Sequence, residues 1–82
     1  MADKLLFEYK AGMGLGLWVY EDKVVICNRL GNKTTIPINK IAAVSLNLVG
    51  NVEIETTGGK SFGLLCGKKG AQAKEIIDGL IL

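Results

Sequence analysis

Few side chains in this sequence are suited to catalysis, and histidine is absent. Histidine is the commonest general base near neutral pH and a frequent metal ligand, so its absence removes most hydrolase hypotheses. Glu53 and Glu55 suggest a carboxylate pair, but a spacing of two in a strand places them side by side on one hydrophilic face. Solvation of that face is the main interpretation, and an ion-binding or acid-base role is the alternative. No nucleophile, base and orienting group can be assembled, so the sequence predicts a protein that is not an enzyme.

The two cysteines, Cys27 and Cys66, each lie inside an apolar, strand-like segment. Buried free cysteine behaves as a small hydrophobic residue, so we expect two reduced thiols in the core. A disulfide or a redox role is the alternative. Without histidine and without a CxxC pair, the cysteines predict no zinc site. We therefore expect neither a metal nor a cofactor.

Two glycine-containing segments raise the question of phosphate binding. The segment from Gly12 to Gly16 matches neither the dinucleotide fingerprint nor the P-loop, and a strand follows it where both motifs need a helix. Gly67-Lys68-Lys69-Gly70 is a better anion candidate, because two lysines precede a predicted helix. An ordinary strand-to-helix loop is the alternative interpretation of that segment.

Alternation of apolar and polar residues, interrupted by turn residues, predicts that most of the chain is β-structure. Gly58-Gly59 is a strong hairpin signal, and Gly31-Asn32 tolerates the positive φ that a turn requires. Pro37 has no backbone N–H, so we expect its strand at a sheet edge or at a corner. The predicted strands cover about residues 5–9, 15–20, 23–29, 34–38, 41–48, 52–57 and 60–66.

The period of the pattern changes after Gly70. Apolar residues then follow the i, i+3, i+4, i+7, i+8 spacing of an amphipathic helix. The residues on this stripe are Ala73, Ile76, Ile77, Leu80 and Ile81. We expect a helix over about residues 70–81 whose apolar stripe completes the core.

Size and composition limit the class of protein. A chain of 82 residues suffices for one hydrophobic core, which predicts a single domain over residues 1–82. The net charge of +2 falls well short of the basic charge that carries nucleic acids, so nucleic acid is a poor candidate partner. The apolar runs are too short to span a bilayer and the N-terminus lacks a signal-peptide stretch, so we expect a cytoplasmic protein without a transmembrane segment.

The order of these segments resembles the bacterial pleckstrin-homology-like domains. The resemblance covers nearly the whole chain, and its most specific part runs from Thr35 to Val44, which is similar to that family's fourth strand, corner and fifth strand. The hairpin from Val52 to Phe62 and the helix near Gly70 follow in the expected order. The resemblance implies a mainly β fold: a seven-stranded sandwich or partly open barrel of two roughly orthogonal antiparallel sheets, capped by one C-terminal α-helix. A generic small β-barrel is the alternative.

Several predicted strands are apolar on both faces, although a single core covers only one. In the second strand, Trp18 and Tyr20 lie opposite the face formed by Leu15, Leu17 and Val19. In the fifth strand, one face carries Ala42, Val44, Leu46 and Leu48 and the other carries Ile41 and Ala43. Exposed apolar patches mark interfaces, and Trp and Tyr are enriched at interface centres. The first functional hypothesis is therefore homo-oligomeric assembly or binding of another protein through Trp18 and Tyr20, and cover within one chain is the alternative.

The second functional hypothesis is binding of an anionic ligand, such as a lipid headgroup or an acidic peptide. The resemblance implies that three loops meet at one open end of the fold, where they would gather Lys10, Arg29, Lys33 and Lys60. At a membrane each cation would contribute about 1 kcal/mol before salt screening. The alternative is four solvated side chains. No second cation follows Lys10 across the first two strands, so the phosphoinositide specificity of related eukaryotic domains is not carried over.

Overall fold

The computed structural model of the chain describes residues 4–29 and 32–82. Within these ranges, seven strands form two antiparallel sheets, and one α-helix follows them. The strands are β1 (Leu5–Gly12), β2 (Leu15–Tyr20), β3 (Lys23–Arg29), β4 (Asn32–Pro37), β5 (Ile41–Leu46), β6 (Asn51–Thr56) and β7 (Ser61–Leu65), and the helix is α1 (Gly70–Ile81). The predicted mainly β fold with a C-terminal helix is confirmed. Residues 30 and 31, which include the first residue of the predicted Gly31-Asn32 turn, lie outside the described ranges.

The first sheet has the strand order β1-β2-β3-β4. Its first turn is tight because Met13 and Gly14 both adopt positive φ, at 55° and 81°. β1 therefore continues to Gly12, whereas the predicted strand ended near residue 9. β4 also begins earlier than predicted, at Asn32 and not near residue 34. Pro37 ends β4 at the sheet edge, as predicted, and the next residue donates its N–H to the carbonyl oxygen of Asp22 at 2.9 Å.

The second sheet has the order β5-β6-β7 and corrects the prediction for the fifth strand. A register shift between Ile41 and Ala43 places Ile41 and Val44 together in the core and leaves Ala42 exposed. The predicted alternation, which placed Ile41 and Val44 on opposite faces of the strand, was therefore wrong. A bulge changes the face of the sheet on which the following residues lie. The strand also ends at Leu46, so Leu48 lies in the following turn.

The two sheets and the helix enclose one cluster of buried apolar residues. The helix contributes Ala73 and Ile77, which are fully buried, while Ile76, Leu80 and Ile81 pack against the same cluster. This confirms the predicted apolar stripe. The sheets are not closed into a barrel across the described part of the chain, but β3 and β7 approach each other, and Asn28 Nδ2 donates to the carbonyl oxygen of Gly63 at 3.2 Å. No helix in residues 4–29 and 32–82 is both long and apolar enough to cross a bilayer.

Candidate functional site

The face of the first sheet that points away from the core is built around Trp18. The residue is half-buried, and its indole Nε1 donates a hydrogen bond of 2.9 Å to Glu8 Oε2 on the neighbouring strand. Lys33 Nζ lies 5.2 Å from the ring centroid, within cation–π range. Lys10 Nζ lies 3.9 Å from the same carboxylate oxygen of Glu8. Trp18 is thus held by Glu8 on the neighbouring strand β1 and by the ammonium group of Lys33 on β4.

The indole ring of Trp18 lies directly over Gly16. A Cβ added to Gly16 would come within 2.8 Å of the indole and 2.6 Å of the carbonyl oxygen of Tyr9. Gly16 pairs with Cys27 on β3, so Cys27 belongs to this same outer side of the sheet. Cys27 is buried there, and its Sγ donates a hydrogen bond of 3.3 Å to the carbonyl oxygen of Arg29.

The two cysteines therefore differ in position. Both are free and buried, as predicted; Cys66 belongs to the core cluster, whereas Cys27 pairs with Gly16 on the side of the sheet that carries Trp18. Burial raises the pKa of the Cys66 thiol from 9.0 to about 11. A thiol with so high a pKa is a poor nucleophile and metal ligand near neutral pH, because the reactive form is the thiolate.

Tyr20 lies on the same face as Trp18 and is also half-buried. The ammonium group of Lys23 lies 5.0 Å from the centroid of its ring. The two aromatic residues proposed as contacts therefore lie on the predicted side of β2, and each already has a cation beside its ring. We call this surface the aromatic face, and its residues are Glu8, Lys10, Trp18, Tyr20, Lys23 and Lys33.

The four cations predicted to gather at one end are only partly brought together. Arg29 and Lys33 line one depression between the first sheet and the start of β7. Its other lining residues are Asn28, Asn32, Thr34, Ser61 and Phe62. Lys60 immediately precedes Ser61, whereas Lys10 lies beside Glu8 on the aromatic face. Glu8 offsets part of the positive charge near Lys10 and Lys33, which the sequence argument did not include.

The outer face of the second sheet has the opposite charge. Glu53 and Glu55 are exposed at its centre, and no ion pair to either is found in residues 4–29 and 32–82. Glu53 pairs with Ser45 and Gly63, and Glu55 pairs with Ala43 and Ser61. We call this surface the acidic face, and its residues are Ala43, Ser45, Glu53, Glu55, Ser61 and Gly63.

Sequence reasoning had assigned the two carboxylates of the acidic face mainly to solvation. The signal that it missed is the set of small residues opposite them on both neighbouring strands. That set becomes visible only when the strand register is known.

The described residues contain no cluster of three or more side chains that could hold a metal ion. Glu53 and Glu55 stand on a flat, exposed surface without a third ligand, and Cys66 lies in the core. The chemistry that the described surfaces offer is therefore contact through aromatic rings, ammonium groups and carboxylates.

The comparisons with known proteins give no family for the chain. No protein-family model matches it, and neither a curated protein nor a solved structure matches it. The resemblance to bacterial pleckstrin-homology-like domains therefore stays a prediction, and the functional argument rests on the two sheets and the surfaces that they present.

Proposed function

We propose that the chain is a non-enzymatic assembly module whose copies associate through unlike faces, with the aromatic face of one copy against the acidic face of the next. The observation that carries the proposal is the opposite charge of the two outer sheet faces. Lys10 and Lys33 outnumber Glu8 on the aromatic face, whereas the charged residues of the acidic face are Glu53 and Glu55. Opposite potentials favour association and fix the register of two surfaces.

The shapes of the two faces also suit each other. Trp18 and Tyr20 are large, and the hydrogen bond from Trp18 to Glu8 fixes the indole before any partner arrives. A side chain that is already ordered loses less entropy on binding, so its contact contributes more to affinity. The acidic face presents small residues opposite its carboxylates on both neighbouring strands, which allows an aromatic ring to approach the sheet closely.

The size of the molecule is sufficient for such a contact. Its principal extents are 28 × 27 × 23 Å. One face of that size provides an area comparable to the roughly 800 Å² per partner that stable interfaces bury. A contact between unlike faces does not close on two copies, so it leads to a ring when the rotation closes and to a filament when it does not.

The test uses two variants that each lose one face. Trp18→Lys places a charge at the centre of the aromatic face, and the double variant Glu53→Lys with Glu55→Lys reverses the acidic face. We expect the wild type to have a mass several times 8.8 kDa at micromolar concentration by sedimentation velocity, and each variant alone to be monomeric. Mixed in equal amounts, the two variants retain one intact pair of faces and should form a 1:1 heterodimer.

The mixing experiment separates this proposal from its competitors. A contact between two aromatic faces would leave the Glu53→Lys, Glu55→Lys variant assembled and would give no heterodimer. A wild-type mass of 8.8 kDa would remove self-assembly altogether. Glu75→Lys, which makes the same charge change on an exposed helix position outside both faces, is the matched control and should assemble like the wild type. Circular dichroism of each variant checks that the strands are retained.

A second candidate function is binding of a small anion in the depression beside Arg29. The observation that favours it is the lining of the depression. Arg29 and Lys33 lie there together with the amide groups of Asn28 and Asn32 and the hydroxyl groups of Thr34 and Ser61. Titration with inorganic phosphate at low salt, followed by calorimetry, should give heat that Arg29→Ala with Lys33→Ala abolishes and that Lys40→Ala leaves unchanged. Absence of heat with the wild type would end this candidate.

A further inference from the structure

We propose that the turn between β5 and β6 inserts into the surface of an anionic lipid membrane. The proposed contact consists of Leu48 and Val49 at the tip of the turn, with Lys68 and Lys69 beside them. We call Leu48 and Val49 the apolar tip, and Lys68 and Lys69 its neighbouring lysines. They belong neither to the aromatic face nor to the acidic face, so the proposal is independent of self-assembly.

Leu48 and Val49 are adjacent exposed apolar residues in the turn between β5 and β6. Leu48 is 106% exposed and Val49 is 69% exposed, so neither side chain contributes to the core. Single exposed apolar residues are ordinary on protein surfaces. Two adjacent ones in the same turn form an apolar patch, and Leu65, also exposed, lies at the end of β7.

The turn that carries these residues is held in place by specific contacts. Asn47 Oδ1 accepts hydrogen bonds from the N–H groups of Val49, at 3.1 Å, and Asn51, at 2.9 Å. The carbonyl oxygen of Gly50 accepts a bond from the N–H of Cys66 at 2.9 Å, which ties the turn to the end of β7.

Gly50 itself leaves no room for a side chain. It has a φ of +89°, and a Cβ there would lie 2.4 Å from the carbonyl oxygen of Gly67. The turn is thus packed against the segment that carries the lysines. The two apolar side chains are displayed on a fixed support, so their ordering costs little when they bind.

The charges beside the tip indicate what kind of surface it meets. Lys68 and Lys69 lie in the 3₁₀ turn Gly67–Lys69, which packs on Gly50, and both are exposed. Lys68 lines the same depression as Leu48 and Val49, and no carboxylate is among the described residues that line it. An apolar projection with adjacent cations is complementary to an interface whose outer layer is anionic and whose interior is apolar.

The residue types favour a membrane over a protein partner. The residues that dominate protein interfaces are Trp, Tyr and Arg, whereas Leu and Val are under-represented among them. A protruding aliphatic tip would need a matching pocket on a protein, but a fluid layer of acyl chains accepts it without one. The residue pattern predicts a strand that includes Leu48, but β5 ends at Leu46, and this places Leu48 in the exposed turn.

The experiment measures co-sedimentation with vesicles of phosphatidylcholine alone and with vesicles that also contain phosphatidylglycerol. We expect the wild type to bind the anionic vesicles at low salt, with binding that falls at high salt because the charges are screened. Leu48→Ser with Val49→Ser should lower the partition coefficient by about a hundredfold, since both apolar side chains then lose their burial. Lys68→Gln with Lys69→Gln should lower it by about thirtyfold.

Matched controls test whether the site is the one proposed. Leu82→Ser removes an equally exposed leucine, 102% exposed at the end of the chain, and should leave binding unchanged. Lys40→Gln removes an exposed lysine outside both faces and should also retain binding, whereas Lys10→Gln with Lys33→Gln removes two lysines from the aromatic face. If this last pair abolished binding and the Leu48, Val49 pair did not, the membrane contact would lie on the aromatic face and the proposal would be overturned.

Other outcomes also overturn the inference. No sedimentation of the wild type with anionic vesicles at low salt would exclude a membrane as the occupant of the tip. Equal binding to both vesicle types would exclude the role of the lysines. A loss of oligomer mass in Leu48→Ser with Val49→Ser, without any change in vesicle binding, would assign the tip to a contact between copies. All variants are checked for retention of the wild-type thermal melt.

Discussion

The two sheets share one core, but they differ in how far the side chains on their outer faces cover the strands. On the first sheet the indole of Trp18 lies over Gly16 and is tied to Glu8, so the face partly covers itself. On the second sheet the residues paired with Glu53 and Glu55 are all small, and they cannot cover the strands as an indole does. The same two-residue alternation therefore produces either a covered or an open surface, depending on side-chain size.

This difference also separates the cysteines. Cys66 belongs to the buried cluster that the two sheets and the helix enclose, whereas Cys27 pairs with Gly16 on the side of the first sheet that carries Trp18. The aromatic face acts as a small second layer over one part of the sheet, and the acidic face has no counterpart to it in the described ranges.

The largest expected effect comes from removing the core on which both faces depend. Ile77 is fully buried on the helix, so Ile77→Asp places an unpaired charge in the apolar cluster. The cost of several kcal/mol approaches the whole stability of a domain of this size, about 5–10 kcal/mol. We expect loss of the cooperative thermal transition measured by circular dichroism.

The control for this variant introduces the same residue on the solvent side of the helix. Gln72 is exposed in the first turn, so Gln72→Asp should melt close to the wild type. A cooperative melt of Ile77→Asp within a few degrees of the wild type would mean that the helix does not dock on the sheets and that the two faces do not share a core.

A smaller effect tests the layered character of the aromatic face directly. Gly16→Ala places a methyl group against the indole and, at 2.6 Å, against the backbone oxygen of Tyr9, which cannot move away without shifting a strand. We expect a loss of about 1–3 kcal/mol in the free energy of unfolding, typical of overpacking. Urea denaturation followed by the fluorescence of Trp18 gives the measurement.

The same substitution on the acidic face is the matched comparison. A Cβ on Gly63 would meet its nearest neighbour at 3.6 Å, an ordinary contact distance, so Gly63→Ala should be neutral or slightly stabilising in a strand. Equal losses for both variants would show that the two faces are equally open and would contradict the comparison.

Much of the fold could be predicted because the local signals agree with each other. The strand over residues 15–20 and the helix over residues 70–81 were predicted at their observed limits, since alternation, glycine turns and helical spacing all act within a few residues. The fifth strand was the main error. Its bulge between Ile41 and Ala43 depends on pairing with β6, which is a contact between distant parts of the chain.

The candidate surfaces were less predictable for the same reason. The sequence indicated that Trp18 and Tyr20 point away from the core, but not that Glu8 and Lys33 hold the indole, because these residues come from two other strands. The four predicted cations were treated as one group, yet Lys10 lies beside Glu8 while Arg29 and Lys33 line a depression. The exposed Leu48 was assigned to a strand because its residue type fits one.

A still smaller effect concerns the Cys66 thiol and the pH dependence of stability. Burial raises the pKa of the Cys66 thiol from 9.0 to about 11, so the folded state keeps this proton over a range in which the unfolded state loses it. Below pH 9 both states are protonated and the thiol adds no pH dependence. Between pH 9 and pH 11 the unfolded state binds fewer protons, so stability falls as pH rises, by at most about 1.4 kcal/mol per pH unit.

Urea denaturation across this range should show a steeper fall for the wild type than for Cys66→Ala, whatever the constant cost of the small cavity that the variant creates. If Cys66→Ala and the wild type had the same slope, the Cys66 thiol would be as accessible to water in the folded state as in the unfolded state, and its burial in the core cluster would be contradicted.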